Sequence, residues 1–426
     1  MKVLVIGGGG REHALVWALR RSARVSEVVC APGNGGISAL ARCVPVAVQD
    51  VAAVLALAER ERPALTVVGP EVPLAAGLVD AMQERGMRVF GPTRRAAELE
   101  TSKAFAKAFM LRHDIATAAH AVCVSMDEVV EELRRFQMPV VVKADGLAAG
   151  KGVVICETVR AAEIAAAEMF SGDLLGAAEK VVVLEEFLRG DELSYFAVCD
   201  GTHAVTLGAA QDHKRIGEGD TGANTGGMGA YSTDGLMTDA MRDWLRVNVA
   251  QRVVDGMRSE GVPFQGVLFV GLMMVPQRDG TTYPMVLEFN TRFGDPETEA
   301  LMMRLESDVM DIFDAAVDGW ADRLQVRMRP GASACVIAAS AGYPGKVVSG
   351  KAIAGLPADA EDVMVFHAGT AAGEGGIVTA GGRVLAVTAV SEAGLAEALR
   401  KAYAALGGIS FEGMQYRRDI GWKALR

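Results

Sequence analysis

Residues 3–13 read VLVIGGGGREH, and this stretch decides how the N-terminal part of the chain folds. Residues 3–6 are a short apolar run, which is typical of a strand buried on both faces of a sheet. Four glycines follow at once, and the polar residues after them begin a helix. A strand that turns through glycine into a helix is the repeating unit of an α/β fold. We therefore predict a doubly wound parallel-sheet domain at this end of the chain.

The same strand–helix pattern continues beyond this stretch. Asp50 is placed to cap a helix whose apolar residues have helical spacing. Leu65–Val68 and residues 88–90 are two further predicted strands, the second ended by Gly91 and Pro92. We expect these strands to join the first in one parallel sheet with helices on both faces.

The composition limits the function. The chain of 426 residues is 50% hydrophobic and 23% charged, an ordinary globular balance, and its length suits roughly two to four domains. A net charge of −10 argues against a broad nucleic-acid surface, which needs a basic face. The six cysteines form no CxxC pair, so we expect buried free thiols in a reducing compartment. No leader or membrane-spanning run is evident, so we predict a cytoplasmic protein without membrane contact.

The glycine turn, residues 7–10, and Arg11 form a candidate anion site. Backbone N–H groups at a helix start favour an anion, and arginine adds a planar cation suited to phosphate. Glu12 stands where a dinucleotide fingerprint beginning at Gly7 requires its third glycine, so a dinucleotide site is not indicated. A tight turn without a ligand would use the same residues, and that alternative stays open.

A second glycine-rich turn, KADGLAAGKG at residues 143–152, joins two predicted strands, residues 140–143 and 152–155. Lys143 and Lys151 flank small residues that allow phosphates to approach closely. The turn is not a P-loop, because Ser or Thr does not follow its GK. An exposed hairpin with solvated lysines is the alternative.

A third segment, EEFLRGDE at residues 185–192, follows a predicted strand at residues 181–184. The backbone of such a segment can hydrogen-bond the edge of an adenine, and a carboxylate farther on can accept from ribose hydroxyls. The alternative of a charged loop with no ligand is equally consistent with these residues.

Two polar blocks complete the candidates. In EFNTRFGDPE, residues 288–297, Glu288 and Asn290 share one side of a strand, and their oxygens suit Mg²⁺. Arg292 lies on that side if the strand continues; a polar strand end without a metal is the alternative. QDHKR, residues 211–215, precedes a glycine-rich loop that either packs against a ligand or is solvated. No Ser-His-Asp, Cys-His or HExxH pattern indicates a protein nucleophile or zinc.

Together these segments resemble the ATP-grasp superfamily, and within it the phosphoribosylamine–glycine ligase family. The resemblance spans nearly the whole chain through GGGGREHAL, VVGPEVPL, KADGLAAGKGVV, EEFLRGDE, QDHKRIGEGDTGANTGGMGAYS, EFNTRFGDPETE and GYPG. The QDHKR and NTRFGDPE blocks are specific to this family. Ala223 departs from the usual proline, and residues 267–275 lack the acidic metal ligand that many ATP-grasp relatives supply.

The resemblance implies an N-terminal substrate-binding domain at residues 1–101, an ATP-grasp domain at 102–328 and a small C-terminal α+β domain at 329–426. It implies a mobile lid at about residues 120–190. The implied reaction joins glycine to phosphoribosylamine through glycyl phosphate, giving glycinamide ribonucleotide, ADP and phosphate in purine biosynthesis. ATP is the implied co-substrate, with Mg²⁺ or Mn²⁺, and we expect a monomer whose partners are small molecules.

The resemblance also assigns roles to individual residues. The implied metal ligands are Glu288 and Asn290. The residues implied to bind ATP are Lys103, Lys143 and Lys151 at the phosphates, Glu185, Phe187 and Leu188 at adenine, and Glu192 at ribose.

The implied catalytic residues are Arg292, Asp212 and Lys151, of which Asp212 and Arg292 hold glycine. The residues implied to hold the sugar phosphate are Gly9, Gly10, Arg11, Glu12, Gly69, Pro70 and Glu71.

Three other functions are compatible with parts of the sequence. Another ATP-grasp carboxylate–amine ligase would use a different acid or amine, and the family-specific blocks argue against it. A nucleotide-linked dehydrogenase would fit the N-terminal sheet, but the broken fingerprint argues against it. A ligand sensor without catalysis is disfavoured by the intact Glu288 and Asn290 pair. An assay of hydride transfer with NAD(P)H separates the dehydrogenase from the ligases.

Overall fold

The computed structural model describes residues 1–146, 152–174, 178–358 and 360–425. The chain forms two compact units. The first unit comprises Met1–Arg95, Ser194–Phe269 and Thr291–Arg426, and the second comprises Ala96–Leu193 and Val270–Asn290.

A five-stranded parallel sheet opens the first unit. In spatial order its strands are Arg42–Cys43, Glu27–Pro32, Lys2–Gly7, Leu65–Val68 and Val89–Phe90. The intervening helices are Gly10–Arg21, Val51–Glu61, Glu71–Ala75 and Leu78–Gln83, with a 3₁₀ turn at Ile37–Ala39. The three predicted strands and the helix cap at Asp50, whose side chain accepts from the Ala53 N–H, are confirmed.

An antiparallel sheet forms the rest of the first unit. Its strands in order are Asp191–Asp200 (from Ser194 onward), Ala204–Asp212, Gly229–Thr233, Ala332–Ala339, Arg383–Ser391 and Val363–His367. The helices are Asp239–Leu245, Gln251–Ser259, Glu297–Arg304, Val309–Asp318 and Leu395–Leu406, and π-helix Arg246–Ala250 joins the first two. Small hairpins pair Arg215–Gly217 with Thr221–Asn224 and Thr370–Gly373 with Gly376–Thr379.

Helix Leu395–Leu406 has one apolar face, because Leu395, Leu399, Ala402 and Leu406 are all buried in one core cluster. This helix packs on the sheet through residues of Ala332–Ala339 and Arg383–Ser391. Alternate residues of the two strands, among them Ala334, Val336, Leu385 and Val387, belong to the same core cluster as the helix.

A four-stranded antiparallel sheet organises the second unit. Its strands in order are His120–Cys123, Val182–Glu186, Val140–Ala144 and Val153–Cys156. Helices Met126–Glu132 and Val159–Ser171 cover an apolar core beside it, and Glu98–Thr101, Lys103–Arg112 and strand Thr282–Asn290 complete the unit. Strand Gln265–Pro276 has residues in both units.

Helix Met126–Glu132 begins with a variant of the capping box. The Ser125 side chain accepts from the Glu128 N–H. The Glu128 carboxylate reaches the Val124 N–H at 2.8 Å instead of the Ser125 N–H, one residue earlier than the standard motif.

All six cysteines are free, as predicted. Across the part of the chain that the structure describes, no helix combines the length and apolar character that a membrane crossing requires.

Candidate active site

The glycine turn lies at the point where the strand order of the parallel sheet reverses. Residues 7–10 follow strand Lys2–Gly7, and residues 69–71 follow the adjacent strand Leu65–Val68. Ligands of open α/β sheets bind outside the carboxyl ends of strands at such a switch point. The residues implied to hold the sugar phosphate are therefore brought together by topology.

The Glu12 side chain explains why residues 7 and 69 are glycine. Its Oε2 accepts from the Gly9 N–H at 2.6 Å, which closes a capping box at the start of helix Gly10–Arg21. A Cβ on Gly7 or on Gly69 would overlap the Glu12 side chain. Gly7 also has a φ of 132°, which side-chain-bearing residues avoid. The chain's own carboxylate therefore occupies the Gly9 N–H that the sequence offers to an external anion.

Arg11 is buried, with 7% of its surface exposed. Its Nε donates to Glu12 Oε1 at 2.5 Å, and its Nη1 donates to the Phe293 carbonyl at 3.1 Å. Burial opposes the charged form, but the carboxylates of Glu12 and Asp295 raise the pKa of Arg11 above its usual value. Arg11 is thus a fixed, charged group beneath the turn.

Arg292 lies beyond the strand that carries Glu288 and Asn290. Strand Thr282–Asn290 ends at Asn290, so the condition on which the alignment of Arg292 with these two residues depended is not met. Burial continues to alternate beyond the strand, with Thr291 and Phe293 buried and Arg292 half-buried, although the backbone bends there. The Arg292 Nε lies 3.4 Å from Glu71 Oε2, so an implied glycine-binding residue sits beside an implied sugar-phosphate residue. Burial disfavours the charged form of Glu71, but the guanidinium groups of Arg292 and Arg11 together lower the pKa of this carboxyl group.

Asp212, the second implied glycine-binding residue, is the last residue of strand Ala204–Asp212 and is half-buried. His213 beside it is fixed by the C-terminal segment, because its Nε2 accepts from the Gly421 N–H at 3.1 Å. Burial lowers the pKa of His213 to about 4, so this imidazole is neutral at pH 7. The QDHKR block is therefore partly structural, and only part of it faces solvent.

In the second unit, Glu185 lies between two lysines. Its carboxylate oxygens are 2.9 Å from Lys107 Nζ and 2.9 Å from Lys143 Nζ, and all three side chains are at most 7% exposed. Burial opposes ionisation, but Lys143 and Lys107 lower the pKa of Glu185. Burial lowers the pKa of Lys107 to about 8. The Glu185 carboxylate lies between the two lysines, and its implied contact with adenine remains a prediction.

Lys103 lies close to the same cluster. Its Nζ donates to the Gly146 carbonyl at 2.9 Å, and Asp145 accepts from the Ala104 N–H at 3.1 Å at the start of helix Lys103–Arg112. Burial lowers the pKa of Lys103, while Glu288 acts in the opposite direction. The implied phosphate-binding lysines and one implied metal ligand therefore share one electrostatic neighbourhood. Lys151, the third implied lysine, lies outside the described residues.

Glu288 and Asn290 face one side of strand Thr282–Asn290, as predicted. Both are half-buried and flank Phe289, which is buried on the opposite side. A Cβ on Gly271 would stand 3.3 Å from the Glu288 Cγ, so glycine leaves room for this carboxylate. Carboxylate and amide oxygens near two lysines fit a magnesium ion bound to a phosphate chain.

An apolar cluster stands at the implied adenine position. Leu188 packs with Ala118 and Met273, and Val275, Met285 and Leu287 border them. The Arg189 guanidinium lies 5.4 Å from the centre of the Phe187 ring. A Cβ on Gly190 would overlap the Met274 carbonyl, so two backbone segments approach closely here. Such a surface suits a flat aromatic ring, and Glu192 follows it in strand Asp191–Asp200.

Three models of phosphoribosylglycinamide synthetase match the chain: the N domain at residues 1–100, the ATP-grasp (A) domain at 101–298 and the C domain at 333–423. A curated phosphoribosylamine–glycine ligase of Xanthomonas campestris is 50% identical over 100% of this chain and 98% of its own length. The chain belongs to the phosphoribosylglycinamide synthetase family. A Ralstonia nicotianae relative of the same name is 46% identical over the full length of both chains.

Solved structures agree with this family and with the predicted fold class. The crystal structure of Thermotoga maritima phosphoribosylamine–glycine ligase is 34% identical, with a TM-score of 0.85 over 99% of this chain and 100% of that one. A biotin carboxylase of Campylobacter jejuni, 14% identical with a TM-score of 0.75 over 98% and 93% of the two chains, shares the fold. The dehydrogenase alternative is therefore wrong.

Several contacts in this family member are not predicted by its sequence alone. Asn34 Nδ2 donates to the Gly8 carbonyl at 2.9 Å and to the His367 carbonyl at 2.6 Å. The His367 N–H donates to His13 Nδ1 at 2.8 Å. Both contacts tie the glycine turn and its helix to a strand more than 300 positions away, and only the PGN string around Asn34 offers a local signal.

Proposed function

We infer that this chain is an ATP-dependent ligase that joins glycine to 5-phosphoribosylamine in purine biosynthesis. The products are glycinamide ribonucleotide, ADP and phosphate. The observation that carries this inference is the match along the whole chain to a curated phosphoribosylamine–glycine ligase at 50% sequence identity. The glycine turn at the switch point and the lysine cluster of the second unit supply groups of the chemistry that this reaction requires.

The second unit binds the nucleotide in this proposal. Lys103 and Lys143 neutralise the phosphates, while residues 185–188 and Glu192 hold adenine and ribose. Glu288 and Asn290 bind Mg²⁺ or Mn²⁺, which offsets the charge of the phosphate chain when bound. Lys151 completes the set by resemblance. The boundaries at residues 101/102 and 328/329 and the lid at about 120–190 remain part of the same proposal.

The first unit binds the two substrates that are joined. Arg292 pairs with the glycine carboxylate and Asp212 with its ammonium group, since each is half-buried and oppositely charged to its target. The carboxylates of Glu12 and Glu71 suit ribose hydroxyls. The guanidinium of Arg11 supplies the positive charge for the phosphate, because Glu12 already occupies the Gly9 N–H.

The reaction runs in two transfers. A glycine carboxylate oxygen attacks the γ-phosphorus, the bond to the β,γ-bridging oxygen breaks, and ADP leaves. The amine nitrogen of phosphoribosylamine then attacks the acyl carbon of glycyl phosphate. The carbon–oxygen bond to phosphate breaks, phosphate leaves, and the nitrogen loses a proton. Positioning and charge neutralisation supply most of the acceleration in such transfers.

Release of ADP tests this function. We expect ADP to form at the full rate only when ATP, glycine and phosphoribosylamine are all present with a divalent cation. Full turnover with a different acid or amine in place of one substrate would indicate another ATP-grasp ligase. We also propose that the enzyme is cytoplasmic and monomeric. Light scattering of the purified enzyme tests whether it is a monomer.

Arg11→Ala tests the sugar-phosphate site. We expect the KM for phosphoribosylamine to rise by about 10- to 150-fold, because a charge-assisted bond contributes roughly 1.5–3 kcal/mol. The KM for ATP should stay within about twofold, since its residues belong to the other unit. Steady-state kinetics with one substrate varied at a time provides the measurement.

Two variants sharpen this result. Arg20→Ala, at an exposed position of the same helix, is the matched control and should leave every KM unchanged. Arg11→Ala combined with Glu12→Gln removes the unpaired carboxylate that the single variant leaves behind. A KM that returns toward the wild-type value in the double variant would assign the effect to the unpaired carboxylate instead of the lost cation. A rise in the KM for ATP instead would place the glycine turn in the nucleotide site and refute the assignment.

A further inference from the structure

We propose that Arg383, in the C-terminal strand Arg383–Ser391, is a positioning residue for the phosphoribosylamine site. It acts through Asp295, which stands between its guanidinium and the glycine turn. The inference rests on the proposed binding of phosphoribosylamine at that turn. Arg383 belongs to no motif of the sequence, and the chain separates it from Asp295 by 88 residues.

The guanidinium of Arg383 holds two segments at once. Its Nη2 lies 3.0 Å from Asp295 Oδ1, and its Nη1 donates to the Asp295 carbonyl at 2.8 Å. The same Nη1 donates to the Gly226 carbonyl and, at 3.3 Å, to the Gly227 carbonyl. Arg383 therefore locks the glycine-rich loop after QDHKR onto the GDPE block.

The other oxygen of Asp295 faces the glycine turn. Asp295 Oδ2 accepts from the Arg11 N–H at 3.5 Å, a long bond. A Cβ on Gly9 would stand only 3.3 Å from the same oxygen. The orientation that Arg383 gives to Asp295 is thereby passed to the backbone of the turn.

Charge explains why an arginine is needed at this position. Burial acts against ionisation, but Arg383 and then Arg11 lower the pKa of Asp295. Burial raises the pKa values of the neighbouring Glu297 and Glu299. Without Arg383, Asp295 would be a buried carboxylate opposed by fewer cations, and it would turn away or take up a proton.

A second contact from the C-terminal segment supports the same loop. The Tyr343 hydroxyl accepts from the Gly226 N–H at 3.0 Å, while Arg383 binds the Gly226 carbonyl. A Cβ on Gly382 would overlap the Tyr343 ring, so glycine allows the ring to pack beside Arg383. Both backbone polar groups of Gly226 are thus fixed by residues far away in the sequence.

Kinetics of Arg383→Met and Arg383→Lys test the proposal. We expect Arg383→Met to raise the KM for phosphoribosylamine by about tenfold or more, with the KM for ATP within about twofold. Arg383→Lys should recover part of this loss, because a point charge keeps Asp295 ionised but cannot span both segments. Arg304→Met is the matched control: Arg304 is buried, pairs with Asp234 and binds the Arg329 carbonyl. It should lower the melting temperature without changing the KM values.

Asp295→Asn removes the other partner of the Arg383–Asp295 ion pair, and it replaces Arg383→Met as the test if that variant does not fold. We expect a similar rise in the KM for phosphoribosylamine, and less than about a further twofold when the two changes are combined, because coupled residues are not additive. A lower melting temperature with unchanged KM values in both single variants would overturn the proposal. Arg11→Ala in the same assay separates the two hypotheses: its failure to raise the KM refutes the site itself, whereas its success beside a silent Arg383→Met refutes only the role of Arg383.

Discussion

We expect Glu288→Gln to lower turnover by at least about 100-fold, the scale on which losing one preorganised charge-stabilising group slows an enzyme. The substitution keeps the shape of the side chain and removes an anionic oxygen that suits Mg²⁺. It also removes the carboxylate that counteracts the loss of charge on Lys103. The melting curve should match the wild type, because Glu288 is half-buried at the end of its strand.

A measurement without turnover separates metal binding from other roles of Glu288. Binding of Mn²⁺ in the presence of ADP, followed by electron paramagnetic resonance, should weaken in Glu288→Gln. Glu186→Gln, an exposed carboxylate of the same unit, is the control and should bind Mn²⁺ normally. Wild-type turnover in a Glu288→Gln protein with a wild-type melting curve would refute the metal assignment.

We expect Glu185→Gln to destabilise the second unit by roughly 3–5 kcal/mol, the usual effect of removing one partner of a buried ion pair. The change leaves Lys107 and Lys143 buried without the carboxylate that lies between them. Glu186→Gln, the next residue and exposed, should change stability by no more than about 0.5 kcal/mol.

The location of the tryptophans determines how this effect is measured. All four, Trp17, Trp244, Trp320 and Trp422, belong to the first unit, so their fluorescence does not report the second unit directly. Hydrogen exchange of strands Val140–Ala144 and Val182–Glu186 does report it, and should quicken in Glu185→Gln alone. Equal protection in the two variants would show that the lysines do not need Glu185.

The pH dependence of Glu185→Gln follows from Lys107. The pKa of Lys107 is lowered from 10.5 to about 8, and removing Glu185 leaves burial unopposed by its main partner. Between the folded and the unfolded pKa the unfolded chain binds more protons, so stability rises with pH in that window. Above about pH 8 the folded wild type has lost this proton as well, so the deficit of Glu185→Gln should shrink as the pH rises toward about 8 and change little above it.

Local patterns in the sequence predict local structure well. The strand Leu65–Val68 and the cap at Asp50 depend on residues within one turn or one strand, and both are found as predicted. The side on which Arg292 lies depended on how far the strand continues, and the structure ends the strand at Asn290. A periodic pattern in the sequence shows which side chains are polar, but it does not show where a strand loses its neighbour in the sheet.

The parts of the site that the sequence does not reveal depend on tertiary packing. Lys107 belongs to no sequence motif, and only the packing of helix Lys103–Arg112 brings it to Glu185. Glu12 looks like a defect in a dinucleotide fingerprint, although it is the cap that the turn is built around. Arg383 reaches Asp295 across distant strands, and no spacing rule connects the two.

Transfer of oxygen from glycine to phosphate tests the central claim most directly. Glycine labelled with ¹⁸O in its carboxylate is incubated with ATP, phosphoribosylamine, a divalent cation and the enzyme. If the carboxylate attacks the γ-phosphorus before the amine attacks the acyl carbon, each phosphate released carries one ¹⁸O and each glycinamide ribonucleotide keeps the other. Phosphate that forms at the rate of the product but carries no ¹⁸O would contradict the account.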